Sequence, residues 1–328
     1  MSGYPVTEIL ASATRGIVIA PPGSILTVGD YANVEGRALA WLAGEQWKLQ
    51  AFRDYDAGVG PDLYKVAYSK SFGVPVDEVD EGDERQIGKV QELMLGYGGG
   101  VGAFVTGAAT YKIELATIVD TAWPMLPDDV REETAGMWEW ACEKGRTLGL
   151  DEKVFRTCDG VKRLWRRRHP KIEKLWGDME DAVRNVASGA VSSATLCGGR
   201  ITIDKVKAWL RIRGPSGSYI SYPGIRVGDK GAITYLGQNQ YTRQWSRVGT
   251  YGGKLTENIT QWVCRELLAQ AMLNCEDEGV EVVLHVHDEL VAEDADPELL
   301  AQCMKRVTWA EGLPLSVAVF QTDRYHKD

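Results

Sequence analysis

The segment Val283–Val291 constrains the fold most, because it carries two adjacent acidic residues through an otherwise apolar run. Val282–Val286 has the composition of a buried β-strand, and Leu290–Ala292 is typical of a returning strand. The polar positions 287–289 fall where a tight turn would join the two strands. We predict a β-hairpin that holds Asp288 at its tip. On this segment alone, an ordinary hairpin with a solvated turn explains the pattern equally well.

A second acid, Asp30, ends a short apolar run near the N-terminus. The run predicts a β-strand, and a helical stretch from Ala38 to Gly44 follows it. Asn33 lies between them and is a residue type that suits a helix N-cap. Asp30 would therefore lie at the carboxyl end of a strand, just before a helix. Catalytic acids are common at such positions, but so are loop aspartates without a function.

A third segment places two cations at helical spacing. An interval of four residues separates the successive members of the series Arg85, Lys89, Leu93 and Tyr97, and Gly98 follows Tyr97. Residues four apart lie on one helix face. The spacing therefore predicts a helix that presents two cations, an apolar side chain and a phenol along about 18 Å. An amphipathic helix with two solvated basic residues is the alternative.

Taken in order, the three segments resemble the signature motifs of the family A, DNA polymerase I-like DNA polymerases. The motifs are Asp30–Arg37, Arg85–Gly98 and His287–Glu289, and a further match is Tyr251–Gln261. The resemblance covers essentially the whole chain and is strongest for bacteriophage polymerases. It implies an α+β polymerase right-hand fold, in which an antiparallel palm sheet carries a mostly helical fingers insertion and thumb and exonuclease domains are absent.

The positions of the motifs also predict the domain organisation. Asp30 and Asp288 can meet only if the first and last segments share one sheet and the middle of the chain is inserted. We predict a first palm part at 1–44, a fingers insertion at 45–240 and a second palm part at 241–328. Periodicity predicts helices near 46–56, 84–95, 127–147, 152–159, 170–188, 255–274 and 297–310, with small antiparallel strands between about 190 and 245.

The resemblance implies a catalytic site with two magnesium ions, for which manganese can substitute. Asp30 and Asp288 would be the carboxylate ligands, and the main-chain carbonyl of Tyr31 would complete the nucleotide-bound metal site. Two carboxylates held within a few ångströms repel each other unless divalent cations lie between them. Magnesium prefers hard oxygen ligands of this type.

The resemblance also assigns the nucleotide contacts. Arg85 and Lys89 would hold the triphosphate, and Lys89 is the candidate proton donor to the departing pyrophosphate. Tyr97 would stack near the templating position or the incoming base. Leu93 stands where many members of the family carry an aromatic residue, which leaves discrimination against sugar-modified nucleotides open. Glu35 would block the ribose 2′-hydroxyl and so favour deoxynucleotides.

Five further residues are expected to contact primer–template DNA on the same resemblance. Gln261 corresponds to a glutamine that faces the primer–template near the active site. The others are His287, Glu289, Arg15 and Lys254, among which the role of Glu289 is the least defined.

Composition limits the remaining functional classes. The net charge of −9 argues against a general nucleic-acid binder, although basic clusters at 162–171 and 205–213 either track a nucleic-acid backbone or form solvated faces. The six cysteines have no paired short spacing, which disfavours a zinc site and a disulfide framework. Without a long apolar run or a leader, we expect a protein without membrane contact, located in the cytoplasm of an infected bacterial host if it comes from a phage.

We therefore expect a template-directed DNA polymerase core that transfers deoxynucleotides to a primer 3′-hydroxyl by a two-metal mechanism. It is either self-sufficient or one part of a split or truncated enzyme, in which a separate chain supplies thumb or exonuclease functions. The first alternative is a non-catalytic nucleic-acid-binding or assembly subunit that retains the fold. The second is a two-metal nuclease, which leaves the helix with Arg85 and Lys89 unexplained.

Overall fold

The computed structural model describes residues 13–239 and 242–326, and the chain divides into two compact units. Unit 1 combines the residues up to Glu35 with those from Gln261 onward, and unit 2 comprises Gly36–Thr260. The predicted domain limits at residues 44 and 240 differ from these boundaries and stay a prediction.

Among the described residues, the middle of the chain consists of consecutive helices followed by consecutive strands, and helices and strands alternate near the two ends. The α-helices are α1 (Val34–Ala43), α2 (Gln46–Asp56), α3 (Leu63–Phe72), α4 (Asp83–Met94), α5 (Val101–Thr110), α6 (Leu115–Ala122), α7 (Asp128–Glu143), α8 (Glu152–Arg168), α9 (Pro170–Ser188), α10 (Gly252–Asp277) and α11 (Pro297–Lys305). The strands are β1 (Leu26–Tyr31), β2 (Ser193–Leu196), β3 (Ile201–Val206), β4 (Trp209–Arg213), β5 (Tyr219–Pro223), β6 (Arg226–Val227), β7 (Ile233–Gln238), β8 (Trp245–Thr250), β9 (Val282–Val286), β10 (Glu289–Glu293) and β11 (Val317–Thr322).

Unit 1 contains an antiparallel four-stranded sheet in the order β11-β1-β10-β9. Val28 lies opposite Val291 on one side and Phe320 on the other, so strands from both ends of the chain form one core. Leu26, Val28, Val291 and Tyr325 bury one face of the sheet. The expectation that the first and last segments share one sheet is confirmed.

The hairpin of β9 and β10 is confirmed, but the expectation that Val282–Val286 is the buried strand is wrong. β9 is at the edge of the sheet and alternates between half-buried and exposed residues, whereas β10 lies between two strands and is almost wholly buried. An apolar run of five residues fits an edge strand as well as a central one, because its neighbours are not encoded locally.

Unit 2 begins with helices that surround a common core. Ile87 and Val90 of α4 pack in this core with Phe104, Ile118 and Trp165. The predicted helices at 46–56 and 170–188 agree with α2 and α9 to the residue, and the one predicted at 152–159 extends to Arg168 as α8. Helices α3, α5 and α6 were not predicted from the sequence.

The last part of unit 2 is a β-module, which we define as residues 193–250. It contains the antiparallel sheets β2-β3-β4-β5 and β6-β7-β8, as the alternating segments predict. Ile201, Ile203, Leu210 and Ile212 form the buried side of the first sheet, which packs against α9. The mixture of helices and antiparallel sheets confirms the α+β class. Within the described residues, no helix is long and apolar enough to cross a membrane.

Candidate functional site

The first and the third motif meet through the backbone in unit 1. The main-chain N–H of Tyr31 donates a hydrogen bond to the main-chain carbonyl of Asp288 at 3.2 Å. Val286 pairs with Glu289, so His287 and Asp288 alone form the hairpin loop, and His287 adopts a positive φ of 54°. Asp288 therefore lies at the hairpin tip, beside the carboxyl end of β1, as the sequence predicts.

Asp30 and Glu289 are directly opposite each other in the ladder of β1 and β10. Opposite residues of an antiparallel pair project from the same face of a sheet, so both carboxylates lie on the face that carries Val28. Glu289 is buried, accepts a hydrogen bond from the Tyr325 hydroxyl at 2.5 Å and pairs with Arg15 at 3.5 Å. Burial and then the bond to Glu289 raise the pKa of Tyr325 to about 12.

Tyr31 itself is fixed from the other face of the sheet. Its side chain is buried, and its hydroxyl donates to the carbonyl of Met304 in α11 at 2.5 Å. A Cβ on Gly29 would lie 2.6 Å from the sulfur of Met304, so this helix packs closely on β1. β1, which carries Asp30, is therefore packed closely against α11. Asn33, the predicted N-cap, precedes α1 with a left-handed φ of 50° instead of the extended conformation usual for that position.

A cleft of about 520 Å³ lies beside the hairpin tip within unit 1. Four predicted site residues line it: Glu35, Gln261, His287 and Asp288. Arg265 and His285 also line it and were not predicted. Arg265 follows Gln261 by four residues on α10, so helical spacing would have identified it.

Charge converges on this cleft. Desolvation, followed by the carboxylates of Glu35 and Asp288, raises the pKa of the Cys264 thiol. The two carboxylates therefore act on the same small region from α1 and from the hairpin. Arg265 and the imidazoles of His285 and His287 lie around the same space. The cleft thus combines two carboxylates, a guanidinium and two imidazoles within unit 1.

The predicted metal ligands fit magnesium by their chemistry. Within the described residues, no three His, Cys, Asp or Glu side chains are grouped to hold a metal ion. The predicted set is a different one, with two carboxylates and a main-chain carbonyl, all of them hard oxygen donors. The Tyr31–Asp288 hydrogen bond brings the backbones of these residues to one corner of the sheet, and Asp30 precedes Tyr31 by one residue. Of the three predicted ligands, Asp288 lines the cleft, whereas Asp30 and Tyr31 are not among its lining residues.

The predicted cations lie on α4 in unit 2. Arg85 pairs with Asp62 at 2.8 Å, and its guanidinium lies 5.3 Å from the ring centre of Tyr64. The hydrogen bond to Asp62 is the main cause that raises the pKa of Arg85. The ammonium of Lys89 lies 4.4 Å from the ring centre of Tyr111. Neither is simply a solvated basic residue, because each has a defined partner.

Tyr97 does not lie on the helix with these cations, so that part of the prediction is wrong. α4 ends at Met94, and Tyr97 and Gly98 belong to the turn that follows. Gly98 has a positive φ of 76°, which a helix does not accommodate. Leu93, the predicted sugar contact, is on the last turn of α4 and 37% exposed.

Several contacts within unit 2 hold the loop that carries Tyr97. The indole of Trp176 donates to the carbonyl of Gly96 at 2.9 Å, and Arg166 donates to the carbonyl of Gly99 at 3.2 Å. A Cβ on Gly253 would lie 2.2 Å from the carbonyl of Tyr97. The glycine pair at 252–253 is therefore required for close backbone approach. Lys254, the predicted DNA contact beside it, pairs with Glu257 at 3.1 Å.

A buried ionic cluster centred on Glu92 of α4 was not predicted. Glu92 is 7% exposed, pairs with Lys48 and accepts from the indole of Trp165 at 3.1 Å, while Nε2 of His169 lies 3.3 Å from its carboxylate. Burial by itself raises the pKa of Glu92, but Lys48 and His169 outweigh burial and hold that pKa well below its usual range. No local pattern indicates this cluster, because its members come from three separate helices and the connection between two of them.

Three of the six lysines and arginines in the basic cluster at 162–171 form ion pairs within the protein. Lys162 and Arg163 pair with Asp159, and Arg167 pairs with Asp129 and Glu133. These pairs favour the structural interpretation of this cluster over a nucleic-acid contact.

Relatives of the chain are nucleic-acid polymerases. No family model matches it. The DNA polymerase of Bacillus phage SP02 is 30% identical over 98% of this chain and 44% of that protein. DNA polymerase I of Mycobacterium bovis is 37% identical over 73 residues, which cover 22% of this chain and 7% of that protein.

A solved structure agrees with this relationship. The POL domain of Pol1 from M. smegmatis, in complex with DNA primer-template and dNTP, superposes with a TM-score of 0.53 and 19% identity. The alignment covers 98% of this chain and 44% of that one, and at this identity it shows the fold. The chain thus spans less than half the length of these relatives.

Proposed function

We propose that the chain, whose sequence relatives are DNA polymerases, is a template-directed DNA polymerase core of the family A, DNA polymerase I-like type. In this proposal it transfers a deoxynucleoside monophosphate from a deoxynucleoside triphosphate to the 3′-hydroxyl of a primer. The polymerase fold and the relationship over 98% of the chain support this activity. Because the relatives are more than twice as long, the activity of this chain is our proposal.

One observation carries the proposal. Motifs at opposite ends of the chain are joined by the hydrogen bond between Tyr31 and Asp288, and residues of both motifs, Glu35 and His287, line one cleft. The stability of the sheet does not require acidic residues at this junction. A nucleotidyl-transfer site needs them there, because phosphate charge must be neutralised where the bond forms.

We assign Asp30, Asp288 and the main-chain carbonyl of Tyr31 as the groups that hold two magnesium ions. When bound, such ions activate the primer hydroxyl and neutralise charge on the leaving oxygen. Asp30 is held by the ladder of β1, and Asp288 by the two-residue loop. These residues thus present their oxygens from rigid elements and lose little conformational freedom on binding.

We assign Glu35 as the residue that excludes the ribose 2′-hydroxyl, and Gln261 and His287 as contacts to the primer–template. All three line the cleft. Glu289 and Arg15 pair with each other, so we assign them to positioning the hairpin beside DNA. Lys254 remains a proposed DNA contact.

In unit 2, we assign Arg85 and Lys89 to the triphosphate and Lys89 also to protonation of pyrophosphate. Leu93 and Tyr97 are the proposed contacts to the sugar and the base. The ion pair of Arg85 with Asp62 must then exchange for a phosphate contact, which a bidentate guanidinium can make. We also propose that the activity takes place in the cytoplasm of an infected bacterial host, and that a separate chain can supply thumb or exonuclease functions.

Primer extension tests the proposal. A labelled primer–template is incubated with the protein, magnesium and either deoxynucleotides or ribonucleotides. We expect extension with deoxynucleotides, loss of extension in Asp288→Ala, and retention in the matched control Asp323→Ala, which removes an exposed carboxylate elsewhere in unit 1.

Folded protein that binds primer–template without extending it would contradict the proposal and favour a non-catalytic binding or assembly subunit. Magnesium-dependent loss of labelled DNA without nucleotides would favour a nuclease instead. Extension and degradation are read in the same gel, and binding is read in a parallel mobility-shift assay.

A further inference from the structure

Positive charge is concentrated in the β-module. Between residues 193 and 250 the sequence contains nine lysines and arginines against two aspartates and no glutamate, a net charge of +7, while the whole chain carries −9. The rest of the chain is therefore strongly acidic. A segment of opposite charge marks the part that a polyanion would contact, because phosphate affinity depends on local lysine and arginine.

The sheet β2-β3-β4-β5 has one buried and one uncovered face. Ile203, Leu210 and Ile212 are fully buried on the inner face. Because side chains alternate along a strand, the positions between them project outward. In register, Val206 lies opposite Trp209, and Arg213 lies opposite Tyr219.

Large side chains remain exposed on this uncovered side, which we call the outer β-face. It is formed by Val206, Trp209, Arg211, Arg213 and Tyr219. Trp209 is 51% exposed and Tyr219 53% exposed, although both are aromatic. Aromatic rings normally contribute burial energy, so two rings left open on the same sheet face as two arginines offer apolar surface that a partner can cover.

The cations of the outer β-face are arranged around these rings. Arg211 makes a double hydrogen bond to Asp204, at 2.8 Å for each pair of atoms, and its guanidinium lies 5.6 Å from the ring centre of Tyr219. Arg213 is exposed and forms no salt bridge within 4 Å with any described residue, although its charge, after that of Arg211, helps to lower the pKa of Asp204. One arginine is therefore held as part of the platform, and the other remains available to a phosphate.

We propose that the outer β-face binds single-stranded nucleic acid, with bases stacked on Trp209 and Tyr219 and the backbone against Arg213. Interleaved aromatic rings and arginines on an open sheet are the chemistry that binds unpaired bases without sequence preference. Duplex DNA hides its base faces and cannot use the rings. This inference rests on the proposed function. In a template-directed polymerase, the strand that the β-module holds is the unpaired template strand.

The test measures the affinity of the full chain for a fluorescein-labelled oligothymidylate of about 20 nucleotides, enough to span one such site. Fluorescence anisotropy is recorded without magnesium or nucleotides. We expect the double variant Trp209→Ala/Tyr219→Ala to bind at least about 5-fold more weakly. Trp209→Phe/Tyr219→Phe keeps both rings and should restore most of the affinity, which a defect in folding would not allow.

Salt dependence tests the contribution of Arg213 separately. Loss of one phosphate contact lowers the slope of log affinity against log salt by about 0.7 for a single strand. We expect this change in Arg213→Ala. The matched controls are Trp140→Ala and Lys153→Ala, which remove an exposed ring and an exposed cation from helices of the same unit. Neither control should change affinity or slope.

Three results would overturn the proposal. The first is unchanged oligothymidylate affinity in the double alanine variant. The second is an equal loss of affinity for a blunt duplex, which would mean that the face contacts backbone only. The third is a dimer of the wild type that the double variant abolishes without a change in affinity, which would identify the face as an interface between copies of the chain.

This test is independent of turnover. If the wild type does not extend primers but the double variant still loses affinity, only the proposed polymerase activity fails. If extension is normal and affinity is unchanged in the double variant, only the proposal for the outer β-face fails.

Discussion

Tyr31 donates its main-chain N–H to the main-chain carbonyl of Asp288, so the first strand and the hairpin tip are joined without either side chain. The carboxylate of Asp288 is thereby left to the cleft that Glu35 and Gln261 also line. A substitution of the Asp288 side chain can therefore change activity without disturbing the fold.

Asp288→Asn should abolish nucleotide incorporation while leaving the fold intact. The amide keeps the size of the side chain and the backbone bond to Tyr31, but it removes the charge that a metal ligand needs. We expect incorporation to fall by at least about 100-fold and the free energy of unfolding to change by less than about 0.5 kcal/mol. Single-turnover extension and urea unfolding measure the two effects.

The matched control for Asp288→Asn is Glu281→Gln, an exposed carboxylate one residue before β9. It should leave both quantities unchanged. Full incorporation by folded Asp288→Asn would show that this carboxylate does not bind metal.

Glu35→Ala should relax the choice of sugar. Glu35 lines the same cleft as Asp288, and a shorter side chain leaves room for a ribose 2′-hydroxyl. We expect the ratio of kcat/KM for ribonucleotides to that for deoxynucleotides to rise at least about 10-fold. Steady-state single-nucleotide insertion measures this ratio, with Glu281→Ala as the control. An unchanged ratio, with insertion still efficient, would remove Glu35 from sugar selection.

Lys48 and Glu92 should depend strongly on each other for stability. Lys48→Met leaves the carboxylate of Glu92 buried without its main cation, which costs about 3–5 kcal/mol of unfolding free energy. Glu92→Gln alone leaves Lys48 without its partner in the same way. The double variant Lys48→Met/Glu92→Gln should be destabilised by less than the sum of the two single variants. Additive losses in urea unfolding would exclude coupling.

Because of the same cluster, part of the free energy of unfolding should be lost at acid pH. The pKa of Glu92 is lowered in the folded chain, whereas the unfolded value is about 4.3. The contribution of ionised Glu92 to the free energy of unfolding is therefore complete above about pH 4.3 and is lost as the pH falls below that value. The unfolding free energy of the wild type should fall more steeply between about pH 4.3 and 3 than that of Lys48→Met/Glu92→Gln. Parallel pH profiles would contradict this assignment.

Gly88→Ala should destabilise the protein although alanine favours helices. A Cβ at this position of α4 would lie 2.1 Å from the carbonyl oxygen of Tyr64 in α3, which cannot move without shifting that helix. We expect a loss of about 1–3 kcal/mol. The change also separates α4, which carries Arg85 and Lys89, from its neighbour.

Gly136→Ala is the matched control for Gly88→Ala, because it also lies inside a helix, α7, but its Cβ would meet no atom within 4 Å. At Gly136 only the helix preference of alanine acts, and it should raise the free energy of unfolding by up to about 1 kcal/mol. Thermal unfolding of the two variants should therefore shift in opposite directions. A shift of both in the same direction would refute the packing argument.

Sequence periodicity was sufficient for the elements whose signal is local. The limits of α2 and α9 and the existence of the β9–β10 hairpin follow from apolar spacing and turn residues within each segment. Periodicity failed at Tyr97, because a four-residue spacing continues past the end of α4 while the chain turns at Gly98. It also did not predict β11, whose partner β1 lies at the other end of the chain.

The sequence by itself determined the three motifs, their order and the residue types that point to nucleotidyl transfer. Only the tertiary structure decided which of those groups meet and which are already paired. It joined Asp288 to Tyr31, bound Arg85 to Asp62 and paired two cations of α8 with Asp159, while it left Arg213 exposed. Pairing and burial depend on residues far apart in the chain, so local patterns carry no information about them.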